Sequence, residues 1–302
     1  MPNPITIFTG STGINTKVDP TRLRFDSKTG ISDFAAAINV DIDDTGRPSR
    51  RKGSTRVLTG NWHSLFDCRE YALGVTGDAL SVIEYDFSST PIRNVTPAHR
   101  MRYLQVEDKV YYANGTEKGY VQDRVSHPWV AGAYVGPPTT KTFSDPPVGT
   151  ILEIYNSRVY IVIQSRVKYS ARNAHSWYNL ASDGFRFAND VTMLRAINDG
   201  IYVGTTKETL FLSGAGGADL RRISVADYGV IEGTDVIVPG SRVAGGKIAS
   251  SPVAMWTSSE GICMGGPEGL FINLTEKKLS LPSARYGSAI YKDGKYIVCL
   301  EP

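Results

Sequence analysis

The stretch RYLQVEDKVYYA (residues 102–113) decides how this chain folds. A short strand-like run ends at the polar pair Glu107-Asp108, and a run rich in Val and Tyr follows. A strand, a two-residue polar turn and a returning strand is the pattern of a β-hairpin. The same plan returns along the chain as LEIYNSRVYIVI (152–163), LRAINDGIYVG (194–204), VAMWTSSEGICM (253–264) and SAIYKDGKYIVCL (288–300). A looser copy, HSLFDCREYALGV, occupies residues 63–75. The pairs Glu107-Asp108 and Asn156-Ser157, and the triplets Asn198-Asp199-Gly200 and Lys292-Asp293-Gly294, suit tight turns.

The residues after the turns serve as anchors: Tyr71, Tyr111, Tyr160, Tyr202, Cys263 and Tyr296. They are spaced 40, 49, 42, 61 and 33 residues apart. A period of roughly 40–50 residues built from strands alone is that of β-propeller blades. Helical solenoids share the period but need a 3.6-residue alternation, which is absent here. The sequence therefore predicts an all-β chain, a single β-propeller spanning residues 1–302. About six blades are expected, or seven if the longest gap hides one near residues 222–238. The last copy ends after two strands, so N-terminal strands at residues 5–9 and 36–43, with a return at 54–58, are expected to complete its blade. Residues 1–60 would then form an arm and hairpin that help to close the ring. Two β-sandwiches joined through the prolines Pro128, Pro137, Pro138, Pro146 and Pro147 are the competing architecture; in a propeller this stretch is a long inter-blade loop. The one helical candidate, SDFAAAI (32–38), is short, with Ser32 as its cap.

Composition narrows the function classes. Lys and Arg number 33 against 30 Asp and Glu, a net charge of +3, which excludes a polybasic nucleic-acid tail or an acidic disordered chain. The apolar runs reach about five residues, where a membrane span needs about twenty. The start, MPNPITIFTG, lacks a basic segment followed by an apolar one, so no secretory leader is expected. Cys68, Cys263 and Cys299 are expected to be small buried thiols made in a reducing cytoplasm.

No motif points to a reaction. His63, His99, His127 and His175 are isolated, and neither a CxxC pair nor a GxSxG elbow occurs, so neither a metal nor another cofactor is expected. The loop LSGAGGADLRR (212–222) matches no phosphate-binding pattern and reads as a connection between blades. Ser182-Asp183-Gly184 resembles part of an Asp-box turn without recurring. Trp62, Trp129, Trp177 and Trp256 are either core residues or sugar platforms. Arg47, Arg50, Arg51 and Lys52 follow Asp41, Asp43 and Asp44, as in a solvated hairpin with cross-strand charge pairs, or in a contact to an acidic surface or DNA phosphates.

The N-terminal region carries a resemblance. Gly13-Ile14-Asn15-Thr16, Asp19-Pro20-Thr21-Arg22-Leu23, the run from Ile38-Asn39-Val40-Asp41 to Thr45-Gly46-Arg47, and Arg50-Arg51-Lys52-Gly53 are similar to the start of tail proteins of short-tailed bacteriophages. The family is that of β-propeller components of the tail hub or nozzle, also called tail stabilisation proteins. The resemblance covers about 40 of the 302 residues, and the chain is short for such proteins. It implies a structural virion protein without enzymatic activity, made in the host cytoplasm and resident in the tail. Own copies, about six, would form a ring by contacts that close on themselves. The ring would meet the portal-side adaptor and other tail proteins, and DNA would pass through it without sequence-specific binding. Asp19, Arg22, Arg47, Arg50 and Arg51 are the expected interface residues. The competing reading is a glycan-binding or glycan-hydrolysing propeller; a cytosolic WD40- or kelch-like scaffold ranks third, because its repeat signatures are missing.

Overall fold

A computed structural model describes residues 9–301 except 27, 44, 135, 137, 138 and 244–250. The expected strand at 5–9 therefore lies, but for Thr9, outside the described residues, as do Asp44, Pro137 and Pro138. The chain is all-β with a β-propeller architecture; among the described residues its only helical elements are short 3-10 turns.

Four-stranded meanders follow one another at residues 62–94 (sheet A), 102–127 (sheet B), 191–226 (sheet D) and 236–273 (sheet E); between them, residues 151–186 form the five-stranded sheet C. The hairpin of Tyr286–Lys292 and Lys295–Glu301 is sheet F. Each predicted turn is confined to two residues: Val106 pairs with Lys109, Tyr155 with Arg158, Ile197 with Gly200 and Lys292 with Lys295. Asn156 and Ser157 both have positive φ, as do Asp293 and Gly294. This is the turn geometry whose twist matches that of paired strands, and Asn, Asp and Gly tolerate it best.

Five apolar clusters hold the sheets together, each joining two neighbours. Leu73, Val75 and Leu80 of sheet A pack on Val110, Tyr112 and Val121 of sheet B. Tyr111 and Leu104 meet Val159, Ile161 and Tyr178 of sheet C; Tyr160 and Val162 meet Leu194, Val203 and Leu212 of sheet D. Tyr202 and Phe211 meet Trp256 and Cys263 of sheet E. Val238 and Met255 meet Tyr291 and Tyr296 of sheet F. A strand packed on both faces needs no polar side, and Gly200–Thr205 is buried at every position. The strand Lys295–Glu301 instead alternates between exposed and half-buried, the mark of one covered face.

Sheet E explains the uneven repeat. Its first strand, Val236–Pro239, lies inside the hairpin recognised in the sequence, so Cys263 sits on a third strand while the other anchors lie on or beside second strands. The 61-residue gap thus holds the outer strand of sheet D, Arg221–Ala226, and the inner strand of sheet E, with no further blade between them among the described residues. Gly265 on this sheet has no room for a side chain: a Cβ there would stand 2.5–2.8 Å from the Tyr202 ring. That ring is held by its hydroxyl, 2.7 Å from the carbonyl oxygens of Gly266 and Leu270. Gly265→Val should cost about 1–3 kcal/mol, read by urea unfolding, because neither ring nor strand can retreat.

The N-terminal strands form sheets of their own. Gly10–Ile14 pairs in parallel with Ile31–Phe34, which pairs antiparallel with Phe25–Asp26. The helical candidate at 32–38 is corrected: Ile31–Phe34 is a strand, since a seven-residue helix cannot repay its nucleation while two strand partners are at hand. Val40–Ile42 pairs with Pro48–Arg50, whereas residues 54–58 form no strand. Neither sheet enters the hydrogen-bond ladder of sheet F, so the expected strand-for-strand completion is not made among the described residues. The link to the C-terminal region is made outside that ladder: Thr16 N donates to Lys278 O at 2.8 Å, and side chains add to it. Buried Asp33 accepts from Thr12, Asn15 and Lys278, and Lys295 lies 3.4 Å from Asp41. Pro48 has no N–H to offer a ladder.

Of the prolines in this stretch, Pro128, Pro146 and Pro147 lie on the loop between sheets B and C. The loop at 212–222 joins the third and fourth strands of sheet D rather than two blades, and the Tyr160 hydroxyl accepts from Gly217 N at 2.8 Å. Cys68 and Cys263 are buried, but Cys299 is exposed, because it stands on the uncovered face of sheet F.

Candidate functional site

The first strands of the sheets come together in the middle of the fold. Arg102–Val106 touches Ile151–Tyr155, which touches Val191–Ile197; Val236–Pro239 touches Tyr286–Lys292. Four of these strands, or the residue just before them, carry a charge into this centre. Glu153 is buried within ILEIY, and Arg195 sits within VTMLRAI. Asp235 precedes the first strand of sheet E, and Arg102 opens that of sheet B.

They form one ionic ladder. Arg195 Nε lies 2.6 Å from Asp235 Oδ2, and its Nη1 lies 3.4 Å from Glu153 Oε2. Arg102 Nη2 approaches Asp235 Oδ1 at 3.6 Å. Burial pushes the Asp235 carboxyl upward, but Arg195 and then Arg102 outweigh it and hold the group below the usual carboxylate range. Glu153 shares only Arg195, so burial prevails and its carboxyl is raised. A guanidinium ion-paired with carboxylates from the two neighbouring sheets couples three sheets at once.

Beside the ladder, the segment leading into sheet E and the start of sheet F enclose a pocket of about 380 Å³. Val191, Val230 and Ile231 form its apolar lining. Glu232 projects to it, its carboxyl raised by burial against the pull of Arg102. The backbone of Glu232 accepts from Gly287 N at 2.8 Å, which ties sheet E to sheet F. Tyr286 stands at the rim with Arg285 5.1 Å and Arg100 5.2 Å from its ring centre. Arg100 closes the polar seam on this side, donating to Gly287 O at 2.8 Å and to Glu301.

The residues expected to form an interface are not gathered into this centre. Asp19 caps a 3-10 turn, Pro20–Arg22, by accepting from Thr21 N at 2.8 Å. Arg47, Arg50 and Arg51 are exposed on or beside the Val40–Ile42/Pro48–Arg50 hairpin. Arg51 pairs with Asp41 at 3.5 Å across that hairpin, the solvated cross-strand arrangement. Among the described residues no ion pair joins Asp19 or Arg22 to the basic cluster.

The tryptophans are spoken for. Trp129 and Trp256 are buried beside Tyr111 and Tyr202. Trp62 Nε1 donates to Thr59 O, and Trp177 Nε1 donates to Ala131 O. Asp183 is buried against Lys141 Nζ at 2.7 Å. Among the described residues no group of three His, Cys, Asp or Glu side chains is arranged to hold a metal ion.

Sequence reasoning passed over the ladder and Glu232. The available signal was a charge inside an otherwise apolar strand, at Glu153 and Arg195, in the very segments that marked the repeat. A charge at such a position is tolerated only with a partner. That partner, Asp235, lies 40 residues from Arg195, and nothing in the repeat announces it.

No family model matches the chain, and no curated protein matches it. Solved structures do. The extracellular domain of a protein assigned as a one component system from B. thetaiotaomicron is 8% identical, over 85% of this chain and 32% of that one, with a TM-score of 0.49. The chain thus spans about a third of that neighbour. A virginiamycin B lyase from Staphylococcus aureus is 11% identical over 74% of this chain and 71% of that one, at 0.44. A gluconolactonase from Xanthomonas campestris is 10% identical over 80% and 84%, also at 0.44. At these identities the likeness shows the fold alone. It does correct one expectation: a lyase and a gluconolactonase share this architecture, so catalysis is not excluded for it, and no activity is assigned.

Proposed function

We propose that this chain is a structural subunit of a short-tailed bacteriophage tail, assembling with its own copies, about six, into a ring around the DNA channel. It would be made in the host cytoplasm, meet the portal-side adaptor and other tail proteins, and let DNA pass without sequence-specific binding. The supporting observation is the uncovered face of sheet F. Ile290 and Ile297 are cross-strand partners, 55% and 42% exposed, on a hairpin whose other face packs on sheet E. The N-terminal hairpin reaches this sheet through Lys295 and Asp41 and carries Arg47, Arg50 and Arg51 in solvent beside it. Exposed Ile290, Ile297 and Cys299, set among Ser288, Lys292, Lys295 and Glu301 on one sheet face, with exposed arginines on the neighbouring hairpin, have the mixed composition of a subunit contact.

Native mass decides the matter. Mass photometry at low and high protein concentration should show a discrete ring, either of the free protein or once adaptor is added. A monomer under both conditions overturns the reading. The double substitution Arg50→Glu/Arg51→Glu should leave the thermal midpoint within a degree or so, since both side chains are exposed, yet reduce incorporation into particles at least about tenfold. Normal particles from this variant would remove the arginines from the interface.

A glycan-binding propeller is the second reading, and the pocket beside the ionic ladder favours it.

A further inference from the structure

The pocket at the start of sheets D, E and F collects polar groups that the protein leaves unused. The side chains of Gln164, Asp190, Thr206, Glu232, Ser259 and Tyr286 all border it, and none has a side-chain hydrogen bond or ion pair among the described residues. They arrive from four sheets, so local turn chemistry does not explain their meeting. Their backbones, by contrast, are tied: Asp190 O accepts from Thr206 N at 3.0 Å, Gln164 O from Val191 N at 3.0 Å, and Glu232 O from Gly287 N at 2.8 Å. Fixed backbones carrying free side chains into one concavity form a preorganised set of donors and acceptors.

The kind of group they suit follows from their chemistry. Asp190 and Glu232 accept when ionised; the two hydroxyls, the phenol and the amide both donate and accept. A simple anion would meet two carboxylates. A simple cation would meet Arg285, which also lines the pocket. A neutral molecule dense in hydroxyls can satisfy all of them, since each hydroxyl donates once and accepts twice. Val191, Val230 and Ile231 provide the apolar surface on which its C–H groups would rest.

We propose that the pocket bounded by Asp190, Glu232, Ser259 and Tyr286 binds a neutral sugar, with Asp190 and Glu232 accepting from its hydroxyls. The proposal deepens the second reading given above and is independent of ring formation. A volume of about 380 Å³ suits one or two sugar rings rather than a long chain.

The full-length protein is titrated with glucose, galactose, mannose, N-acetylglucosamine and lactose by saturation-transfer NMR and calorimetry. At least one should bind saturably in the millimolar range, as small polar ligands do. Asp190→Asn and Glu232→Gln should each weaken it about tenfold or more, with unchanged thermal midpoints. Two outcomes overturn the proposal: no saturable binding by any of these sugars, or binding that both substitutions leave intact. Inorganic phosphate is titrated in parallel; phosphate binding lost in Arg285→Ala, with no sugar bound, would identify an anion site in its place. Mass photometry of the same samples keeps the two readings apart, because loss of sugar binding leaves the native mass unchanged and a monomeric mass leaves the sugar titration unchanged.

Discussion

Asp235→Ala is expected to destabilise the protein by about 3–5 kcal/mol, the cost of stranding one member of a buried ion pair. The carboxylate is the shared partner of Arg195 and Arg102, and its side chain is 2% exposed. Removing it leaves the Arg195 guanidinium with Glu153, at 3.4 Å, as its one carboxylate, beside the residue 235 carbonyl at 3.4 Å. Arg195→Met should cost less, because Met fills much of the same volume; it still leaves Asp235 with Arg102 at 3.6 Å, and the difference between the two variants separates packing from charge. Urea unfolding at neutral pH measures both.

The pH dependence of Asp235→Ala has a defined sign. Asp235 is held below its ordinary value in the folded chain. Such a group lends stability that is present above its unfolded pKa, about 3.9, and lost as pH falls through the folded value. The gap between parent and Asp235→Ala should therefore be full at neutral pH and shrink below about pH 4. Glu153 acts in the opposite sense, since burial raises its carboxyl. Its contribution is largest below its unfolded value, about 4.3, and declines as pH rises through the folded one. Glu153→Gln should accordingly be tolerated far better than Asp235→Ala. An Asp235→Ala gap that stays constant across the acid range would mean that the ladder carries no charge dependence.

Trp256→Ala is the second large loss expected, about 3–5 kcal/mol. The indole is fully buried between sheets D and E, its ring centre 5.4 Å from that of Tyr202 and 5.9 Å from that of Phe271. Truncation would empty the centre of the cluster that also holds Met193, Phe211 and Cys263. The indole N–H is buried without a hydrogen-bond partner among the described residues, so Trp256→Phe gives up volume but also relieves an unsatisfied donor. Trp256→Phe should cost less than half as much as Trp256→Ala. Equal costs for the two would show that the ring is not the support of this seam.

The repeat RYLQVEDKVYYA is legible because strand alternation and turn chemistry are local: Asn156-Ser157 and Asp293-Gly294 adopt positive φ from residue type and strand twist alone. The burial of Tyr111, Tyr160 and Tyr202 follows from their place on second strands with a sheet on either side. In the N-terminal arm only the strand within residues 36–43 is legible from the sequence: Gly10–Ile14 lies beyond the strand expected at 5–9, Ile31–Phe34 overlaps the helical candidate, and 54–58 forms no strand. Parallel partners such as Gly10–Ile14 and Ile31–Phe34 are matched through an intervening segment, which no alternation pattern encodes.

The sequence by itself determined the β-propeller class, the hairpin unit and the positions of its turns, since each depends on neighbours within about a dozen residues. Only the tertiary structure decided the rest. The offset of sheet E by one strand, the pairing of Arg195 with Asp235 and the meeting of Asp190 with Glu232 at one pocket depend on how sheets stack around a centre. Residues 40 or more apart are brought there by the packing of apolar faces, and a burial pattern fixes which face turns inward but not which charge it will find on the next sheet.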